Sequence, residues 1–191
     1  MKKIFTVEAI QKSPICVNSG VIENDGVNMT IVKRNGIPYI PGSSLKGKVR
    51  YNFSRIVGDK GSHKEKAFCS CPVCLVFGGA GNNQSRIFFD DLVPDERSSG
   101  NVGIRYGVAI DRYTKTSNDK FLYTREVAED FVFKGDISLY YDDKMCHSKK
   151  PGCFVYENEL LLSIKMIEAI GGGNSSGFGF VELKVREKEV I

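Results

Sequence analysis

A chain that carries Pro38-Tyr39-Ile40-Pro41-Gly42-Ser43-Ser44-Leu45-Lys46-Gly47-Lys48-Val49-Arg50 has little freedom in its local path. The residue before each proline is pushed away from the α region, so 37–41 runs extended. Gly42 lets the chain turn, and Ser43 or Ser44 can then accept a hydrogen bond from a free amide of the following turn, as an N-cap does. From there Leu45, Val49, Phe53 and Ile56 recur at helical spacing and make one apolar stripe, with Lys46, Lys48, Arg50 and Arg55 off it. The spacing predicts an amphipathic helix entered from an extended segment. A Ser-capped helix start with a lysine in its first turn combines amide donors, a positive dipole end and a mobile cation, which suits a phosphate. The plainer interpretation is a capped helix with a solvated basic face, and on spacing alone it is the better one.

At 191 residues the chain can bury a sizeable core, and one domain spanning 1–191 with insertions is the natural expectation. The net charge of +4 permits a polyanionic partner without demanding one, because clustering of charge matters more than its sum. Glu8 interrupts the only apolar run near the start, so no signal peptide is expected, and no segment has the length to span a bilayer. A cytoplasmic protein without a membrane partner is the expectation. There the six cysteines are reduced or metal-bound rather than paired.

Along the chain, 2–17 reads as a long strand with Pro14 marking an edge or bulge. A short strand is expected at 29–32, and Asn35-Gly36 signals a tight turn. Residues 85–93 are apolar on both faces, which predicts a central strand. Ile104, Tyr106, Val108 and Ile110 alternate with polar residues, and 121–127 can pair back to make a hairpin with a polar tip. Residues 131–141 form a further strand. A second helix is expected over 157–170, with Leu160, Leu161, Ile164 and Ile167 facing the core and Asn158 as a cap, before a closing strand at 178–185. Strand, helix, strands, helix, strand is the order of a ferredoxin-like (RRM-like) α+β domain. Helices would cover one face of an antiparallel sheet, with insertions at 58–81 and 101–130.

The first insertion holds His63, Cys69, Cys71 and Cys74. Three soft thiolates and an imidazole suit four-coordinate Zn2+, and a full protein ligand set makes such a metal structural rather than catalytic. Cys71 and Cys74 also have redox-motif spacing, but in no βαβ context. Cys146, His147 and Cys153 could form a second metal site with a borrowed ligand, although idle thiols are the better interpretation. Cys16 stands alone and is expected in the core. Between Gly171 and Gly179, five glycines surround Asn174, Ser175 and Ser176. Such a loop either caps a helix and returns the chain, or lets the backbone approach a nucleic-acid phosphate.

Taken together, the Pro38 to Arg50 run, the Cys71-Pro72-Val73-Cys74-Leu75-Val76-Phe77-Gly78 run, Gly107 to Arg112 with Thr114 and Thr116, and the glycine loop resemble the RAMP superfamily, the RNA-binding proteins of CRISPR systems. The similarity is to the zinc-containing, Csm/Cmr-type backbone subunit of type III effector complexes, which act in antiviral defence. The resemblance implies a RAMP domain with a zinc-binding insertion and a β-hairpin thumb, stacked with other copies of itself and other type III subunits along CRISPR RNA and positioning target RNA. It implies that Ser43, Ser44, Lys46, Lys48 and Arg50, with Gly172, Gly173, Asn174 and Ser175, contact guide phosphates. Ile110, Arg112, Phe121 and Tyr123 would be thumb residues gripping the guide–target duplex. Phosphate contacts fix position while base pairing supplies specificity. In active relatives a loop Asp cleaves target RNA at regular intervals with a divalent ion. That position aligns with Asn28 here, and an amide is neither a base nor a full-charge Mg2+ ligand. Asp25 is the substitute in the alternative reading of a Mg2+-dependent ribonuclease. A guide-processing endonuclease using His63 or His147 is the weakest of the three, since His63 is better used by zinc.

Overall fold

The structure is a computed structural model that describes residues 1–20, 28–59, 69, 71–79, 84–142, 145–147 and 150–188; the side chains of 118–121, 147 and 150–153 are outside that description. Strand β1 (Lys2–Gln11) alternates, so that Phe5, Val7 and Ala9 are buried while Lys2, Thr6 and Glu8 are not. The two-residue strands β2 (Lys33–Arg34) and β3 (Ile37–Pro38) flank Asn35-Gly36, both at positive φ, which is the turn geometry that Asn-Gly favours. Helix α1 (Gly42–Ile56) follows, then a short α2 (Pro72–Phe77), β4 (Ile87–Phe89) and β5 (Val93–Pro94). The long strands β6 (Asn101–Ile110) and β7 (Ser117–Glu129) pair with each other as a two-stranded sheet, from Asn101 opposite Glu129, and β7 adds isolated bridges to Ile15 and Met29. Then come β8 (Val132–Tyr140), β9 (Cys146–His147), β10 (Lys150–Phe154), α3 (Glu157–Lys165) and β11 (Val181–Lys188).

The main sheet runs β11-β1-β8-β4, antiparallel at every step, with β5 also on β8. Register places Phe5 opposite Ile137, Ala9 opposite Phe133 and Leu183, and Ile87 opposite Leu139. One face of the sheet is therefore apolar, and it packs with Leu45, Val49 and Phe53 of α1 and Leu160 and Ile164 of α3 in a single core. Each such side chain, fully removed from water, stabilises the fold by roughly 1.5–3 kcal/mol. Phe53 sits at the junction, edge-on to both Phe77 and Tyr156. The two helices also join through Asn52 Nδ2, which donates to the Ser163 carbonyl at 3.0 Å.

Several expectations give way. Neither Ser43 nor Ser44 caps α1: its N-cap is Pro41, with no side-chain cap bond, and the free Gly42 amide donates to Asp91 Oδ1 at 2.9 Å. Asn158 does not cap α3 either, because the helix starts a residue before it, with Tyr156 at the cap. That helix stops at Lys165 rather than 170. The next segment pairs instead with the closing strand, Ile170 N–H donating to the Gly179 carbonyl (2.8 Å) and Val181 N–H to that of Glu168 (2.9 Å), so tertiary bonds replace the last helical turn. The 85–93 segment is not a central strand. It holds only β4 and β5, β4 ends the sheet order, and Phe88 is 53% exposed. Strand β1 ends at Gln11, although Ile15 still bridges to Ala128, and 29–32 contributes isolated bridges, Ile31 to Asn18 and Met29 to Arg125. Among the described residues no helix is long and apolar enough to cross a membrane.

Candidate functional site

The start of α1 is an acid-capped helix end. Asp91 accepts the Gly42 amide through Oδ1 and the Arg34 guanidinium through Oδ2 at 2.6 Å, and Arg34 in turn lies over the Tyr39 ring at 4.9 Å. A Cβ on Gly42 would collide with the Phe89 carbonyl, so this glycine serves a close crossing of β4. Ser43 is exposed and Ser44 half-buried, its amide donating to the Pro41 carbonyl at 3.0 Å. Lys46 turns inward, and its Nζ donates to Ser85 Oγ at 2.8 Å. Burial, and then the Arg50 guanidinium four residues on, hold Lys46 below the ordinary lysine range. Lys48 instead lines a groove of about 350 Å³ with Gly47, Tyr51 and Asn52 on one wall and Met166, Ile167, Glu168 and Ala169 on the other.

The loop at 171–179 is shaped by its own protein neighbours. Gly171, Gly173, Gly177 and Gly179 all have positive φ, and Asn174–Ser176 make one 3-10 turn. A Cβ on Gly171 would strike the Cys16 carbonyl, one on Gly179 the Ile170 carbonyl, and one on Gly173 the Arg125 guanidinium. Gly172 is exposed, but its N–H donates to the Cys16 carbonyl at 2.8 Å. Ser175 is exposed, and Asn174 Oδ1 is buried without a donor among the described residues.

The hairpin springs from this same corner. Asn28 Oδ1 accepts from the Thr124 amide at 2.8 Å and lies 3.2 Å from its hydroxyl, while Asn28 N–H donates to that hydroxyl at 3.0 Å. Glu126 accepts the Ile31 amide at 3.1 Å and pairs with Lys33. Arg125 lies 4.8 Å over the Phe178 ring and 5.4 Å over that of Tyr123, and Tyr123 covers Gly107 on the opposite strand. Farther out, Ile104, Tyr106, Val108, Ile110 and Leu122 leave an apolar strip in solvent, with Tyr106 at 72% and Ile110 at 67% exposure. Arg112 is exposed at the tip; Phe121 lies on β7, with its side chain outside the described ones. Asp25 lies outside the described residues.

A backbone ladder joins the two glycine-bearing regions. Gly172 N–H bonds to Cys16 O, Val32 N–H to Val17 O, and Tyr39 N–H to Val32 O, three residues before Gly42 opens α1. Those steps put Tyr39 within roughly 20 Å of Gly172. The structure therefore brings α1's opening, the glycine loop and the hairpin root to one end of the fold, but it directs Lys46 away from the other two. Arg125, Asp91 and the Asn28–Thr124 clasp carry no local sequence signal. The Tyr123-over-Gly107 pair has one, an aromatic opposite a glycine once the hairpin register is set.

Cys69, Cys71 and Cys74 come together, all their sulfurs within 4.8 Å of one another. Tetrahedral zinc with bonds of about 2.3 Å spaces its sulfurs about 3.8 Å apart, so the cluster needs to contract by only about 1 Å to fit. Cys71 opens α2, its sulfur accepting the Cys74 amide at 3.3 Å. Burial first pushes the Cys71 thiol up to about 12, with neighbouring Cys69, Cys74 and Asp59 adding to the rise despite that amide, and burial raises Cys74 too. A soft divalent ion that replaces those protons fits such a set. His63 lies outside the described residues. Of the second cysteine group, the side chains of His147 and Cys153 are likewise outside, and the Cys146 thiol faces the Asp142 carbonyl at 3.8 Å. Cys16 is buried in the core, its thiol raised by burial against the pull of Arg125.

The family model for the RAMP superfamily matches residues 11–182. No curated protein is matched by the sequence. Among solved structures, the fold is similar to a chain of the type III-B Cmr-beta complex solved by cryo-electron microscopy bound to cognate target RNA, with a TM-score of 0.68 and 18% identity. The match covers 97% of this chain and 60% of that one, so this chain spans less than two thirds of its neighbour's length.

Proposed function

The chain belongs to the RAMP superfamily, and from that premise we propose that it is an RNA-binding backbone subunit of a type III CRISPR effector complex, holding CRISPR RNA and positioning target RNA. One observation carries the reading: α1's opening, the glycine loop and the hairpin root meet at one end of the fold, joined by the Gly172–Cys16, Val17–Val32 and Val32–Tyr39 ladder. Lys48 on its groove, Ser43, Arg50 and the loop at 172–175 are the proposed phosphate contacts. The β6–β7 hairpin is the proposed thumb, with Ile110, Arg112, Phe121 and Tyr123 against the guide–target duplex. The sheet order β11-β1-β8-β4, with α1 and α3 on its apolar face, supports a ferredoxin-like assignment of the domain. Other copies of the chain and other type III subunits are the proposed protein partners, in the cytoplasm.

The proposal stops at binding. Asn28 engages its carbonyl oxygen with Thr124 and offers no charge to Mg2+. Regular cleavage of target RNA by the chain in Mg2+, lost in Asp25→Ala, would overturn that limit. The metal proposed for Cys69, Cys71 and Cys74 is structural zinc, with His63 as the fourth ligand. Chelation is then expected to lower Tm by several degrees, and an unchanged melt with no zinc in the purified protein counts against it. The main test is whether the purified chain carries short RNA of uniform length or shifts a guide-like RNA in a gel. A chain that does neither, at moderate salt, is not a guide-binding subunit.

A further inference from the structure

A cavity of about 480 Å³ opens at the β4 edge of the main sheet, lined by Cys69, Cys74 and Leu75 together with Arg86, Phe88 and Tyr140. Its described lining includes nothing from the opening of α1, the glycine loop or the hairpin. Phe88 and Tyr140 stand on the outer face of the sheet: their neighbours Ile87 and Leu139 pair across β4 and β8 and point into the core, so alternation turns the two rings out. They pack edge to face at 5.6 Å and stay 53% and 43% exposed. Lys2 Nζ lies 5.4 Å from the centre of the Tyr140 ring. The backbone of Arg86 is pinned on both sides, its N–H to the Val76 carbonyl at 3.0 Å and its carbonyl to the Tyr140 N–H at 2.9 Å. Its guanidinium reaches Asp142 through Nη1 at 3.0 Å, with both side chains in solvent. Such an exposed pair is weak, and the fork has further N–H groups to offer.

A single exposed aromatic needs no explanation, but two on one cavity of ligand size, with cations beside them, have the makings of a site. Exposed rings suit a flat base, and a guanidinium suits a phosphate. We propose that this cavity is a nucleotide site, in which the base packs on Phe88 and Tyr140 and the phosphate meets the Arg86 guanidinium, with Lys2 adding positive charge. Every base has a π-face, so the rings hold a base without choosing which one. The planar fork of Arg86 supplies what a lysine there would not, two N–H groups set for one phosphate. Because β4 and β8 fix the rings and the Arg86 backbone, little has to be ordered when the nucleotide enters. The site does not rest on the RNA-binding reading above. A free mononucleotide and a nucleotide within an RNA strand carry the same base and phosphate, and the experiment separates the two sources.

The test is saturation-transfer NMR on the full chain, cleared of nucleic acid, with AMP, adenosine and ribose phosphate as probes. AMP is expected to take up saturation at its base protons and to bind more tightly than either half. Phe88→Leu keeps most of the apolar bulk but loses the ring, and is expected to weaken AMP and adenosine about tenfold. Phe88→Tyr is expected to restore both. Arg86→Gln is expected to weaken AMP about tenfold and to leave adenosine unchanged. Melting curves on each variant separate binding from folding. If Arg86→Gln fails to fold, Asp142→Asn decides: it frees the guanidinium and is expected to tighten AMP, and an unchanged or weaker affinity overturns the assignment of the phosphate. Ribose phosphate binding as well as AMP, with Phe88→Leu inert, means a bare anion site and overturns the proposal. Self-association that Phe88→Leu abolishes, with no AMP bound, gives the rings to a second copy of the chain and overturns it as well. If a guide-like RNA displaces AMP and a thiouridine in it crosslinks to Phe88 or Tyr140, the nucleotide comes from an RNA strand. AMP binding that RNA leaves untouched identifies a free mononucleotide. A chain that binds RNA but not AMP, with no crosslink at these rings, loses the site and keeps the RNA-binding reading, and a chain that binds AMP but no RNA does the reverse.

Discussion

The opening of α1 and the loop at 171–179 offer the same chemistry on paper, small residues and amides beside a cation, yet they use it differently. At α1 the fold answers its own charges: Asp91 takes the Gly42 amide and Arg34, and Ser85 takes Lys46. At the loop Gly171, Gly179 and Gly173 lie close against Cys16, Ile170 and Arg125, and the polar atoms without a partner among the described residues are on side chains next to them. Glycine in a motif thus marks close approach without naming what approaches. A lysine in a helix's first turn marks a cation without saying whether an internal partner already holds it.

The largest expected effect breaks the loop itself. Gly179 has a φ of +82, and a Cβ there would meet the Ile170 carbonyl of the pairing that closes the sheet. Gly177, at +86, has nothing within 4 Å. Gly179→Ala is therefore expected to destabilise by about 3 kcal/mol or more, and Gly177→Ala by about 1 kcal/mol, the cost of the left-handed backbone alone. Equal losses in a denaturant titration would mean that backbone conformation, and not protein contact, selects glycine here.

Much of the fold was legible because periodicity reports burial. The β1 alternation, the Leu45–Val49–Phe53 stripe, the Asn35-Gly36 turn and the β6–β7 hairpin all follow from local spacing. What failed depends on partners distant in sequence. Asp91 caps α1 from 49 residues away, and no Ser in the helix's own sequence competes once a carboxylate reaches that amide. Residues 166–170 continue a helical pattern but pair with the closing strand. Residues 85–93 look apolar on both sides because Phe88 packs edge-on with Tyr140 at the sheet's outer edge, not because a second layer covers it. Of the site, the residue types in α1 and the loop were readable, whereas Arg125 was not. Its significance comes from Tyr123, Phe178 and Gly173, which meet it only after the hairpin and the carboxyl-terminal loop are in place.

A smaller effect sharpens the contrast at α1. Asp91→Asn keeps the shape of the cap but removes its charge, weakening the bond to Gly42 and the pair with Arg34. A loss of about 1–2 kcal/mol is expected in the melt. The same change removes a negative charge from a helix end whose dipole attracts anions. If guide phosphates pass this end, RNA affinity should rise a few-fold even as stability falls. Stability and affinity falling together would place the RNA path away from α1's opening.

The smallest expected effect separates two lysines only two residues apart. Lys46 is half-buried and bonded to Ser85, and burial followed by Arg50 disfavours its charge. Lys48 faces the groove toward 166–169, the segment that leads into the glycine loop. Removing a single phosphate contact flattens the salt dependence of single-strand binding by about 0.7. Lys48→Ala should do so with a few-fold loss of affinity, while Lys46→Ala should leave the slope nearly unchanged and register in the melt through the lost Ser85 contact. The reverse pattern would mean that Lys46 leaves Ser85 when RNA binds. The helix start would then be a latent phosphate site held closed by its internal partners, and the two regions would differ in timing rather than in kind.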